Sequence, residues 1–126
     1  MRILVVDDSA AIRGYHTDIL DRAGHQTEVA INGVEGLEKA LMGDFELFLV
    51  DVNMPKMDGY EFTRQLRSDA KLKSLPVAMI STEAKDHDKT AAFDAGADLY
   101  LVKPVRPEVL TAHVAIQAAR TTQGEG

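Results

Sequence analysis

The sequence predicts a three-layer α/β/α sandwich: a five-stranded parallel sheet with helices on both faces. Three observations carry this. Short apolar runs at residues 3–6, 47–50, 77–80 and 99–102 are continuous rather than alternating, and the run at 47–50 reads as a strand covered on both faces. The stretches between them place apolar residues at helical spacing. Strand-like and helix-like segments then alternate five times along the chain, the order that yields a parallel sheet with right-handed crossovers. The lengths agree, since five strand residues and eleven helix residues each span roughly 17 Å.

The first strand, residues 3–6, ends at Asp7-Asp8, and Ser9 can cap the helix after it. Ile12, Tyr15, Ile19, Leu20 and Ala23 recur at helical spacing there, and Gly24 suits its end. Residues 26–30 read as a short polar strand, and so as a sheet edge. Asn32-Gly33 punctuates the chain. Val34, Leu37, Ala40 and Leu41 form the next helical stripe, which stops near Gly43. Residues 47–50 run directly into Asp51, and a loop leads to Asp58-Gly59, a turn and helix start. Tyr60, Phe62 and Leu66 mark the third helix. Residues 77–80 run into Ser81-Thr82. A weakly patterned fourth helix covers roughly residues 85–95 and stops at Gly96. Its charge run at residues 85–89 reads as a solvated face, and the poor patterning suits a mobile helix. Residues 99–102 end at Lys103-Pro104, and Pro107 opens a last helix with Val109, Leu110, Val114 and Ala118 inward. The strands beginning at Ile3, Leu47 and Val77 are the most apolar and are expected at the centre of the sheet. One domain over residues 1–120 is expected, with residues 121–126 as a loose, disordered tail.

Composition narrows the function. A chain of 126 residues buries about two-thirds of its unfolded surface, enough for one core. With 20 acidic residues against 14 basic, the net charge of −6 argues against nucleic-acid binding. The absence of cysteine excludes disulfides and thiolate metal sites. No apolar run approaches the ~20 residues that cross a bilayer, and the N-terminal run is too short for a signal peptide. A soluble, cytoplasmic protein with no membrane partner is expected.

The functional signal lies at the carboxyl end of each strand. Asp7-Asp8 comes after the first, Asp51 after the third, Ser81-Thr82 after the fourth and Lys103 after the fifth. In a parallel sheet all of these land on one rim, the carboxyl edge where ligands bind in open α/β sheets. An ionised carboxylate at the end of a buried strand is costly unless paired. Three clustered acids raise at least one pKa among them, and a cation relieves the repulsion. Lys103 is one such cation. A hard divalent ion is the other, and Mg²⁺ fits best, because it prefers oxygen, keeps waters and is held by one or two carboxylates plus phosphate oxygens. A carboxylate beside Mg²⁺ can act as a nucleophile toward phosphorus. Asp51, the most central acid, is the candidate nucleophile. Asp7 and Asp8 would hold the metal, Lys103 would neutralise one phosphoryl oxygen and Ser81 would hydrogen-bond another.

These residues resemble the receiver domain of two-component response regulators, of the single-domain chemotaxis type. The likeness spans nearly the whole chain. It rests on Asp7-Asp8, on Asp51-Val52-Asn53-Met54-Pro55-Lys56-Met57-Asp58-Gly59, on Ser81 and Tyr100, and on Lys103-Pro104, all in order at the family's spacings. It implies a flavodoxin-like fold with strand order 2-1-3-4-5. It further implies that Asp51 accepts a phosphoryl group from the phosphohistidine of a histidine kinase and later loses it by self-catalysed hydrolysis. Mg²⁺ would be bound by Asp8, Asp51 and the backbone carbonyl of Asn53, with Asp7 assisting through water.

Ser81 and Tyr100 resemble the family's switch pair: the Ser81 hydroxyl is drawn to the phosphoryl group and the Tyr100 ring moves inward. This would remodel the face formed by the fourth helix, fifth strand and fifth helix, where an output protein binds. A cis Lys103–Pro104 bond is implied by resemblance and permitted by chemistry. Because no output module comes after it in this sequence, output by binding is expected. Asn53 and Glu83 occupy the variable positions that modulate dephosphorylation, in a combination similar to the fast members. Two residues depart from the pattern. Thr82 stands where alanine or glycine is common and would narrow access for a donor. Val105 stands where chemotaxis members often carry an aromatic, which bears on the output partner.

Other readings fit less well. A haloacid-dehalogenase-type phosphatase needs a second acid at position 53, which is Asn. A flavodoxin needs a hydroxyl-rich phosphate loop after the first strand, where this chain has Asp7-Asp8. A phosphate sink that drains a shared kinase, and a scaffold independent of phosphorylation, remain as alternatives. His16, His25, His87 and His113 are scattered and read as surface or packing residues, and Met54 and Met57 as packing beside the loop.

Overall fold

The computed structural model describes the backbone of residues 1–125 and the side chains of residues 1–120. Ten elements alternate: β1 (Arg2–Val6), α1 (Ala10–Arg22), β2 (Gln26–Ala30), α2 (Gly33–Met42), β3 (Leu47–Asp51), α3 (Gly59–Ser68), β4 (Val77–Ser81), α4 (Asp86–Ala95), β5 (Leu99–Val102) and α5 (Pro107–Glu125). Every strand pairing is parallel, in the flavodoxin-like order β2-β1-β3-β4-β5. The polar β2 lies at one edge, and the three most apolar strands occupy the centre. Register sets the rim. Val6 pairs with Ala30 and Val50, Asp51 with Ile80, and Ser81 with Val102, so the carboxyl ends of the strands come out level.

Strand side chains alternate between two cores, as the pleat requires. Leu4, Val6, Phe48, Val50, Val77 and Met79 point to one face, where Ala40 of α2, Phe62 and Leu66 of α3, and Ala92 and Ala95 of α4 cover them. Ile3, Val5, Leu47, Leu49, Ala78 and Ile80 point to the other, against Leu20 of α1 and Leu110 and Val114 of α5. Both faces of the central strands are therefore dry, which is why their sequences are continuous apolar runs.

Two helices differ from the sequence expectation. In α2 the inward residues are Gly33, Gly36 and Ala40, with Leu37 at the margin, while Val34 and Leu41 are 41% and 50% exposed. The cause is close approach. A Cβ at Gly36 would meet Phe62 Cε2 at 2.9 Å and Val6 at 3.2 Å, so only the smallest residues fit beneath this helix. In α5 the helix continues to Glu125, through residues expected to form a loose tail, because nothing from Ala115 to Gln123 breaks it. Gly126 and the side chains of residues 121–126 lie outside the described residues. His16 is buried, a packing residue at helical spacing from Leu20 with its ring edge-on to Tyr15. Among the described residues no helix is long and apolar enough to cross a membrane.

Candidate functional site

The level strand ends gather the expected side chains into one cluster. Asp7 comes directly after β1, and its backbone N–H donates to Ala30 O (3.1 Å). Its carboxylate is used twice: Oδ1 accepts from Ser9 N (2.9 Å) and Oδ2 from Lys103 Nζ (3.3 Å). Ser9 in turn caps α1 by accepting from Ile12 N (3.3 Å). Asp51 closes β3 with only 6% of its surface exposed, and its Oδ1 accepts from Lys103 Nζ at 2.9 Å. Asp8 is exposed, outside this pair. Asp7, Asp8 and Asp51 each offer one carboxylate oxygen within 4.8 Å of the others, an all-oxygen donor set that suits a hard divalent cation.

Lys103 is aimed by its backbone. Its N–H donates to Ser81 O (2.7 Å), extending the β4–β5 ladder, and the Lys103–Pro104 peptide is cis. Just beyond that peptide, Val105 O accepts from the Tyr15 hydroxyl (2.7 Å), tying the β5–α5 connection to α1. Arg13, one turn into α1, donates from Nη1 to Asp7 O (2.7 Å). Neither Arg13 nor Tyr15 stood out in the sequence as a site neighbour. Arg13 lies four residues after Ser9, and so shares its side of the helix; that spacing is the signal that could have marked it.

Electrostatics derive from burial. Desolvation pushes the Asp51 carboxyl above its ordinary 3.8; the Lys103 hydrogen bond opposes this, and the charge of Asp7 adds to it. Burial alone would lower the Lys103 ammonium. The hydrogen bond to Asp51 and the charges of Asp7 and Asp51 outweigh it, so its pKa lies above 10.5. His16 is lowered by burial, partly offset by Asp7, and stays neutral near pH 7. The cluster is a strained set of acids held by one cation, with its exposed member on the solvent side.

Ser81 and Tyr100 are linked through one residue. Ser81 is buried, and its Oγ accepts from Glu83 N (3.1 Å); the Tyr100 hydroxyl donates to Glu83 O (2.7 Å). The half-buried Tyr100 ring packs on the core beneath α4. Thr82 and Glu83 are exposed on the connection from β4 to α4, and Asn53 is exposed on the connection from β3 to α3.

Residues 3–115 match the response regulator receiver domain. This chain belongs to the receiver domain family. It is similar to the chemotaxis protein CheY1 of Helicobacter pylori, 38% identical over 112 residues that cover 87% of this chain and 90% of that protein. Chemotaxis protein CheY4 of Vibrio cholerae, a solved structure, superposes with a TM-score of 0.87 at 38% identity, over 90% of this receiver and 95% of that chain. Much longer proteins match as well. The gliding motility regulatory protein of Myxococcus xanthus is 40% identical over 103 residues, which are 82% of this receiver and 13% of that protein. Receiver domains are signalling phosphoacceptors that bind Mg²⁺ at an acidic cluster, and the donor set of Asp7, Asp8 and Asp51 is of that kind.

Proposed function

We propose that this receiver is a response regulator switched by phosphorylation of Asp51. The observation that carries the reading is the hydrogen bond from Lys103 to Asp51 beside two further carboxylates on one rim. An Asp51 carboxylate oxygen attacks phosphorus of a phosphohistidine on a histidine kinase. The P–O bond to Asp51 forms as the P–N bond breaks, and the imidazole leaves with the electron pair and takes a proton. Lys103 moves its charge onto the transferring oxygens, and Ser81 donates its hydroxyl to another. Asp8, Asp51 and the Asn53 carbonyl would hold Mg²⁺, with Asp7 assisting through water, and the bound ion would supply neutralisation of phosphoryl charge. Dephosphorylation is hydrolysis: a water oxygen bonds to phosphorus as the Asp51 O–P bond breaks, and the Asp51 carboxylate leaves with the electron pair. Inorganic phosphate departs with the water's oxygen, and the water's proton passes to phosphate or solvent. Asn53, Thr82 and Glu83 around the opening tune the rate. The only reactions catalysed are the domain's own phosphorylation and dephosphorylation.

Once the Ser81 hydroxyl turns to a phosphoryl oxygen, Glu83 N loses its acceptor. The β4–α4 connection then rearranges, and Tyr100, bonded to Glu83 O, responds. The readout surface is α4, β5 and α5, where Phe93, Val102 and Ile116 are exposed apolar residues that a protein partner would cover. Chemotaxis-type output is supported by the likeness to CheY1 and CheY4.

The test is intact-protein mass after incubation with acetyl phosphate, with and without Mg²⁺. A single phosphoryl adduct is expected that requires Mg²⁺, decays with time and is missing in Asp51→Asn. An adduct of equal yield in Asp51→Asn would place the chemistry elsewhere.

A further inference from the structure

The connection between β3 and α3, residues 52–58, is braced by two glycines. At its base, Gly59 N donates to Val52 O (2.9 Å), and a Cβ at Gly59 would stand 2.5 Å from Asp51 O. At its far side the loop lies on the start of α2. There a Cβ at Gly33 would stand 2.8 Å from both the Cβ and the carbonyl oxygen of Met57, and 2.9 Å from its Cγ. Between the braces, Met57 N donates to Pro55 O (2.8 Å) across Lys56, whose φ is +70°. That is a γ-turn of the rare, strained hand. A non-glycine residue keeps such a backbone only where its surroundings over-determine it.

We infer that Gly33 is a positioning residue for the metal. By lacking a side chain it lets Met57 seat on α2, and so holds the loop that aims the Asn53 carbonyl. The inference rests on the reading of that carbonyl as a Mg²⁺ ligand. Packing sets the direction of yielding. The Asn32 carboxamide caps α2 by accepting from Glu35 N (2.8 Å), and Gly36 pins the helix against Phe62 and Val6. The loop has less to hold it: Val52 and Met54 are anchored in the core, but Asn53, Pro55, Lys56 and Asp58 are exposed. One of the obstructing atoms is backbone, so a new methyl at position 33 cannot be absorbed by a rotamer change at Met57. The loop shifts, and Asn53 shifts with it.

The experiment is calorimetric titration of the full chain with MgCl₂, alongside thermal melts. Gly33→Ala is expected to weaken Mg²⁺ binding by about tenfold, as loss of a supporting group around a metal does. Gly36→Ala is the control. It inserts the same methyl in the same helix against core rather than loop, so it should lower the melting temperature and leave Mg²⁺ affinity unchanged. Met57→Ala, which loosens the seat without adding bulk, should weaken binding by less than Gly33→Ala, and it decides the matter if Gly33→Ala does not fold. Wild-type affinity in a folded Gly33→Ala, or in Met57→Ala when that variant decides, overturns the inference. An equal loss in Gly36→Ala overturns it too, by tracing the effect to general loosening. A wild-type chain that binds no Mg²⁺ removes the underlying metal reading, and the inference with it.

Discussion

Two neighbouring units of this domain, β3–α3 and β4–α4, each join a five-residue strand to a ten-residue helix on the same sheet, yet they are held differently. Helix α3 is firm from its first turn: the Asp58 carboxylate accepts from Glu61 N (2.8 Å), and Gly59, Phe62, Thr63 and Leu66 are buried. Helix α4 comes after Lys85, whose side chain makes no cap hydrogen bond, and buries only Ala92 and Ala95, both in its second half. Its far end is clamped: Arg67 donates from Nε and Nη2 to Gly96 O (2.9 and 2.7 Å) and from Nη2 to Asp98 (3.0 Å). Its near end, beside Ser81, is held by a long hydrogen bond from the Tyr60 hydroxyl to Asp88 O (3.4 Å). The strands differ in kind as well. β3 ends on a charge that needs a partner, β4 on a hydroxyl that does not. The lesson is a division of labour: the helix that comes after the Asp51 strand is firmly seated, and the helix that comes after the Ser81 strand is loose at its end nearest Ser81.

That contrast can be tested from its strongest side down. Phe62→Ala empties the core beneath α3 and should cost about 4 kcal/mol in denaturant unfolding; a cost close to that of an exposed substitution would mean α3 is no firmer than α4. Lys103→Met leaves Asp7 and Asp51 buried without their cation and should cost about 3 kcal/mol at pH 7 without Mg²⁺. That cost should shrink as acid protonates the carboxyls. Ser81→Ala, the matching change on β4, removes one neutral hydrogen bond and should cost only about 1 kcal/mol.

Asp51→Asn should stabilise the domain, raising the melting temperature by a few degrees at pH 7. The folded Asp51 keeps its proton to a higher pH than the unfolded one, whose value is 3.8. Wild-type stability therefore falls as pH rises from 3.8 through the folded value. The advantage of the Asn variant opens across that window and closes below it. An effect as small as that of Ser81→Ala concerns the missing cap. Lys85→Ser should add about 1 kcal/mol, and hydrogen exchange should show it as slower opening of the first turn of α4. No change in that turn would mean that its start is already held.

Much of this was open to a reader of the sequence. Both-sided burial of the central strands turns them into unbroken apolar runs, so those beginning at Ile3, Leu47 and Val77 could be placed at the centre, although the apolar run at residues 99–102 forms the edge strand β5. Asp7, Asp51, Ser81 and Lys103 could be gathered because each sits at the end of such a run, and a parallel sheet sends all those ends to one rim. Other parts depended on proximity that no periodicity records. Val34 and Leu41 fit a helical stripe, but Gly36 lies too close to Phe62 and Val6 for large residues to turn inward. Tyr15 reaches across from α1 only because the helix packs against the β5–α5 connection.

Local patterning and chain direction in the sequence determine the layers and which residue types meet at the carboxyl edge, whereas the strand order comes from family likeness. Tertiary structure alone decided which carboxylate oxygen Lys103 takes, that Glu83 links Ser81 to Tyr100, and that Gly33 and Gly36 let α2 lie close to the loop and the core. Those are contacts set to fractions of an ångström between residues far apart in the chain, and only the packed fold fixes such distances.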